Sequence, residues 1–184
     1  MFTADKIKKI GSNCIINPTI QFYGDPDDYE IGDNVRIDAF CIFSGKIKLG
    51  SFIHIACGCY FFGTEGIWLE DYSNLSSRIS LYTVSDDFVE GYLTSPMVPD
   101  KYKKVKHGAI HLKKHALIGC GSVVLPGVTL GEGCSIGALS LIKDDVSDYN
   151  IMAGCPARHV GIRNDLRLKN LERQHQEDVR GING

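Results

Sequence analysis

The stretch LKKHAL-IGCGSV-VLPGVT-LGEGCS-IGALSL-IK, residues 112–143, decides how this chain folds. An aliphatic residue opens every sixth position: Leu112, Ile118, Val124, Leu130, Ile136 and Ile142. Glycine follows at Gly119, Gly131 and Gly137, and four positions after each start stands a small or β-branched residue: Ala116, Ser122, Val128, Cys134, Ser140 and Val146. An amphipathic helix repeats its apolar positions every three or four residues and a half-buried strand every two, so a period of six fits neither. It fits a short strand, a turn and the same unit again, a hexapeptide β-helix with three units to a triangular coil. Coils of that kind stack at the strand spacing of about 4.8 Å, and each is stabilised mainly by its neighbours.

The count runs upstream as well. Ile10, Ile16 and Phe22 open the first hexads, and Gly24–Glu30, containing Asp-Pro-Asp-Asp, interrupts them with turn chemistry. Ile31, Ile37, Phe43, Leu49, Ile55 and Phe61 follow without a slip; Gly63–Gly66 accompanies a shift of two, and Leu69, Leu75 and Leu81 resume. Between Leu81 and Ala109 the repeat fails. Tyr82–Gly108 is charged and aromatic, with Pro96, Pro99 and the lysines Lys101, Lys103, Lys104 and Lys106. A long insertion in a solenoid is a surface loop, and loops on a rigid scaffold commonly carry function. The expected architecture is one all-β domain: solenoid coils over 10–81, an inserted loop over 82–108, further coils over 109–147, and a cap and tail over 148–184. Within the tail, Val160–Gln176 is expected to form a short helix over the open end of the last coil, with 176–184 disordered. Residues 1–9 read as a leader with one helical turn started by Thr3.

The formal charge of −2 gives no electrostatic case for nucleic acid or an anionic membrane. No apolar run approaches the roughly 20 residues of a membrane span. Met1–Ile10 carries Asp5 and three lysines without the apolar core of a signal peptide. The seven cysteines form no CxxC pair, and Cys14, Cys41, Cys59 and Cys134 fall on the small inward position of a hexad. They read as reduced core residues, which makes the cytoplasm the expected compartment.

Three stretches carry a family likeness: Ile118–Gly131, Ile136–Lys143 and Ala153-Gly-Cys-Pro-Ala-Arg158. Over roughly residues 10–163 the chain resembles the hexapeptide-repeat acyltransferases with a left-handed parallel β-helix. The branch is that of the galactoside, maltose and antibiotic acetyltransferases and the bacterial surface-polysaccharide acetyltransferases. The resemblance implies a homotrimer with its active site between adjacent subunits and acetyl-CoA lying along the solenoid. By position, Gly119, Cys120, Gly121 and Ala138 would line the pantetheine arm, while Lys143 and Arg158 would meet the adenosine phosphates. Ser85–Pro99 looks like the acceptor loop of the polysaccharide-associated members. The implied acceptor is a sugar, either a polysaccharide-precursor hydroxyl or a nucleotide-linked amino sugar, in surface-polysaccharide biosynthesis.

Acyl transfer to a hydroxyl needs a general base near the acceptor and donors for the oxyanion. The sugar and antibiotic O-acetyltransferases place a histidine at the start of the acceptor loop; this chain reads Thr83-Val-Ser-Asp-Asp87 there, with Asp86 at that point. Three groups remain. Asp86 or Asp87 is a candidate base, or the partner of a histidine from elsewhere. His54 ends the hexad Leu49–His54 and should face outward, and His107 stands where the loop rejoins the solenoid. His111 and His115 are expected on the surface. An amine acceptor would need less help, because a neutral amine is already nucleophilic. Two other readings stay open. A zinc carbonic anhydrase on this fold needs three converging histidines, whereas the hexads turn His107, His111 and His115 onto different faces, and no metal site is expected. A non-catalytic trimeric scaffold would be separated by its failure to bind acetyl-CoA.

Overall fold

A computed structural model of the protein describes residue 7 and residues 9–182. The chain winds into a prism with three faces of parallel strands. On the first face the register runs Lys9, Glu30, Lys48, Trp68, His111 and Thr129. On the second it runs Ile15, Arg36, His54, Asn74, Leu117, Ser135 and Ile151. On the third it runs Gln21, Ile42, Tyr60, Ser80, Val123 and Leu141. These residues point outward, and the next residue of each strand points into the prism. Three apolar columns result: Ile31–Leu49–Leu69–Leu112–Leu130, Ile37–Ile55–Leu75–Ile118–Ile136, and Phe22–Phe43–Phe61–Leu81–Val124–Ile142, all buried. Each such side chain contributes about 1.5–3 kcal/mol by leaving water. The small fifth positions Ala116, Ser122, Val128, Cys134 and Ser140 are buried too, as are Cys41 and Cys59, because each fills the inside of a corner.

Every departure from the six-residue count falls at one corner, between the third face and the first. Phe43 to Leu49 and Val124 to Leu130 are regular steps of six, but Phe22 to Ile31 takes nine and Phe61 to Leu69 takes eight. Leu81 to Leu112 takes thirty-one, and Ile142 to Val146, which bridges to Leu130, takes four. The other two corners admit no insertion because each is a tight turn through a left-handed residue tied to the coil before it. Asn34, Phe52, Tyr72 and His115 form one such column, with φ between 56° and 61°. Their N–H groups donate to Ser12, Asp33, Ser51 and Asp71. Coils pass so closely that a Cβ on Gly119 would lie 2.5 Å from the Ala138 nitrogen.

The tail departs from expectation. Arg158–Ile162 is a strand, antiparallel to Asn150–Ala153, and helix α1 runs Asp165–Ile182. The expected helix over Val160–Gln176 therefore begins later, and the stretch expected to be disordered is helical as far as Ile182. An antiparallel return satisfies the open edge of the last second-face strand directly, so a strand closes that edge. Helix α1 lies on the side of the prism, against the left-handed column. Tyr72 stacks between Phe52 and His115, with centroids 4.9 Å away on both sides. His175 Nδ1 lies 3.0 Å from the Tyr72 hydroxyl, and Glu172 Oε2 lies 2.7 Å from His115 Nε2. His115, expected on the surface, is 7% exposed because the helix covers it. The leader expected over residues 1–9 lies outside the described residues at 1–6 and 8, and Lys9 belongs to the first strand. Among the described residues no helix is long and apolar enough to cross a membrane.

Candidate active site between loop and third face

The insertion leaves the prism as a hairpin. Val84–Asp86 runs antiparallel to Val105–His107, pairing Val84 with His107 and Asp86 with Val105. Its root is held by buried Thr83, whose hydroxyl donates to the Phe62 carbonyl at 2.8 Å and accepts the Glu65 N–H at 3.1 Å. Further out, the Asp87 carboxylate accepts the N–H of Glu90 at 2.8 Å and of Val89 at 3.2 Å. Desolvation raises its pKa, but these backbone bonds outweigh it and hold the group below its ordinary value. Asp87 shapes the loop. Asp86 makes no such bonds and faces two clefts.

The larger cleft, about 940 Å³, opens between the loop and the third face and is lined by Phe62, Tyr82, Asp86, Lys103 and His107 among others. The smaller, about 440 Å³, climbs the third face past Val123, Leu125 and Leu141, with Phe88 as a wall. Its lining is apolar apart from Ser85, Asp86 and the Tyr82 hydroxyl. Tyr82, Val84 and Asp86 belong to both clefts. Lys143 continues the outward line of Leu141 on the last coil, its ammonium 3.4 Å from Asp144.

Gly119, Cys120, Gly121 and Ala138 come together at the corner that leads from the second face into Val123 and Leu141. The Leu139 N–H donates to the Cys120 carbonyl at 2.8 Å. Gly121 has φ +73°, and a Cβ there would meet Leu139 Cδ2 at 2.8 Å. Coil stacking therefore requires Gly119 whatever lies outside, whereas the corner position of Gly121 is filled by Arg78 and Leu139 in neighbouring coils. Arg78, which the sequence did not single out, donates from Nη2 to Cys120 Sγ at 3.6 Å from a left-handed position on the same corner. Arg158 is exposed, with Nη1 donating to the Ala157 carbonyl at 2.9 Å.

His54 stands on the second face with Nε2 2.9 Å from Asp38 Oδ2, and Asp38 Oδ1 accepts from Arg36 Nε at 2.8 Å. Burial pushes the Asp38 pKa up, but the bonds from His54 and Arg36 prevail and hold it below the ordinary value. The carboxylate partner of His54 is thus Asp38, and neither Asp86 nor Asp87 fills that place. His54 and Asp86 lie on different faces and do not meet within the chain. His107 Nδ1 is 2.8 Å from Glu65 Oε1 at the rim of the larger cleft, and His111 packs on Trp68 with centroids 4.4 Å apart. His107, His111 and His115 each have a different partner. Among the described residues no three His, Cys, Asp or Glu side chains are placed to hold a metal.

A prism of parallel six-residue units defines a class. The chain belongs to the hexapeptide-repeat transferases, and it is an acyl-CoA-dependent acyltransferase acting on a sugar. Residues 109–144 match the family described as bacterial transferase hexapeptide (six repeats). The chain is 40% identical over 165 residues to a dTDP-4-amino-4,6-dideoxy-D-glucose acyltransferase of Escherichia coli, spanning 88% of this chain and 85% of that one. It is 38% identical, with a TM-score of 0.90, to a variant of AntD, an N-acyltransferase from Bacillus cereus solved with dTDP-4-amino-4,6-dideoxyglucose and coenzyme A. That likeness covers 94% of this chain and 92% of the other. AntD with dTDP and 3-hydroxybutyryl-CoA gives 37% identity and a TM-score of 0.88, over 97% and 93% of the two chains.

Proposed function

We propose that the protein transfers acetyl from acetyl-CoA to the amino group of a dTDP-linked 4-amino-4,6-dideoxyhexose, in the cytoplasm, for surface-polysaccharide biosynthesis. The observation that carries this reading is the pair of clefts sharing Asp86. A transferase must bring two substrates to one point, and one cleft here is lined almost wholly by apolar side chains while the other adds Asp100, Lys103 and His107 to Asp86. The pantetheine arm runs along the corner of Gly119, Cys120, Gly121 and Ala138 and the adjoining third face. Lys143 and Arg158 hold the phosphates. The acceptor enters from the larger cleft with its amine against Asp86.

The reaction needs an unprotonated amine and a place for the proton it loses on attack. The C–N bond forms, the C–S bond breaks, and that same proton passes on to the leaving thiolate, so coenzyme A departs as the thiol. With Nε2–H donating to Asp38, the Nδ1 lone pair of His54 is free to take that proton. Because His54 and Asp86 lie on different faces, the complete site combines Asp86 of one copy with His54 of a neighbouring copy in a homotrimer. An amine explains why no histidine opens the loop: its nucleophile needs less activation than a hydroxyl.

Purified protein with acetyl-CoA and dTDP-4-amino-4,6-dideoxyglucose should release free thiol and form the N-acetyl sugar. The counterpart with a 4-hydroxyl should give neither. Equal turnover of the hydroxy sugar, or silence with the amino sugar, would refute the reading.

A further inference from the structure

The larger cleft has more chemistry than an amine requires. Phe62 and Tyr82, on successive coils of the third face, stack with centroids 5.1 Å apart and planes 13° from parallel. They are 37% and 36% exposed, so together they present a flat aromatic step to the cleft. Lys103 is the lysine of that cleft, and its side chain is only 13% exposed. Its ammonium lies 2.9 Å from Asp100 Oδ1, but the Asp100 side chain is fully exposed at 100%. An ion pair with a fully solvated partner is weak and readily exchanged for a multiply charged anion. A largely buried lysine in the same cleft as paired aromatic rings suits a ligand that carries both a planar base and a phosphate.

The geometry points to the larger cleft as a pyrimidine nucleoside diphosphate site, with the base on the Phe62–Tyr82 step and the diphosphate on Lys103. This rests on the proposed acceptor and adds which side chains recognise its nucleotide part. Each part of such an acceptor then has its own partner: aromatic rings for the base, Lys103 for the diphosphate and Asp86 for the sugar amine. At about 940 Å³ the cleft is large enough, since sites for small ligands run from about 300 to 1,000 Å³. Lys103 is a point charge for phosphate on a long stem, and Asp100 holds it in place until the anion arrives.

The experiment is calorimetric titration of dTDP and of thymidine into the wild type, Lys103→Met and Phe62→Ala. Wild type should prefer dTDP over thymidine. Lys103→Met should weaken dTDP by about tenfold or more while leaving thymidine unchanged, so the preference collapses. Phe62→Ala should weaken both ligands by about tenfold, the scale of a lost base-stacking contact. Unaltered acetyl-CoA binding in each variant confirms that it is folded. Should wild type acetylate the amino sugar while both variants keep full dTDP affinity, the nucleotide sits elsewhere and only this inference falls. Should wild type neither bind dTDP nor turn over the amino sugar, the proposed acceptor falls with it.

Discussion

The second and third faces of the prism present different features, and in the proposed reaction each supplies half of the site. The second has a hydrogen-bonded relay: His54 held by Asp38, and Asp38 held by Arg36. The third has two clefts that meet at Asp86, one nearly all apolar and one that also carries Asp100, Lys103 and His107. The difference teaches that strand register is good at building hydrogen-bonded relays, since adjacent coils present side chains to one another at a fixed spacing. The most roomy cleft, about 940 Å³, comes where the register is broken, at the corner that admits the insertion.

The largest effect is expected from removing the proposed base from the second face. His54→Ala should lower turnover by roughly 100-fold or more, the scale of a lost general base, while acetyl-CoA binding stays intact. Near-wild-type turnover would leave the second face with no part in the chemistry. A smaller effect tests the groove of the third face. Lys143→Glu should raise the KM for acetyl-CoA by about tenfold with turnover within about twofold, as expected for a lost phosphate contact. The reverse pattern would place Lys143 outside the cofactor path.

A milder effect concerns the helix that flanks the second face. Burial raises the Glu172 pKa, but hydrogen bonds from His115 and Lys114 outweigh it, so the folded value lies below the ordinary 4.5. A carboxylate with a depressed folded pKa stabilises fully above its unfolded value. That contribution is lost as pH falls through the lower folded value. Amide protection over 165–182, taken relative to the intrinsic exchange rate at each pH, should therefore fall on acidification below 4.5, and Glu172→Gln should abolish this step. Identical exchange profiles in the two proteins would mean that the helix is docked by its apolar contacts alone.

Much of the prism was legible because a hexad gives each residue an address. Leu112 and Ile118 point inward for the same reason at every coil, and Cys134 is small because a corner is small. The breaks at Gly24–Glu30, Gly63–Gly66 and Tyr82–Gly108 were visible as lost count. What remained hidden depends on contacts between segments with no common period. Asp38 meets His54 only because one ends its strand a coil below the start of the other's. His115 is buried by a helix whose inner face, Leu168, Glu172, His175 and Val179, is half polar and shows no apolar stripe. The strand Arg158–Ile162 answers an open edge, which no local propensity records. Asp86 was found by its position at the loop start, but its place between two clefts depends on the hairpin pairing of Val84 with His107.

The central claim is that the two half-sites belong to different copies of the chain, and mixing variants tests it most directly. His54→Ala and Asp86→Ala proteins, each nearly inactive, should recover about a quarter of wild-type turnover when dissociated and reassembled together. That is the share of interfaces that unite two intact groups when subunits of a cyclic assembly mix at random. A mixture no more active than its parents would place both groups in one chain's site, or outside the reaction, and contradict the account.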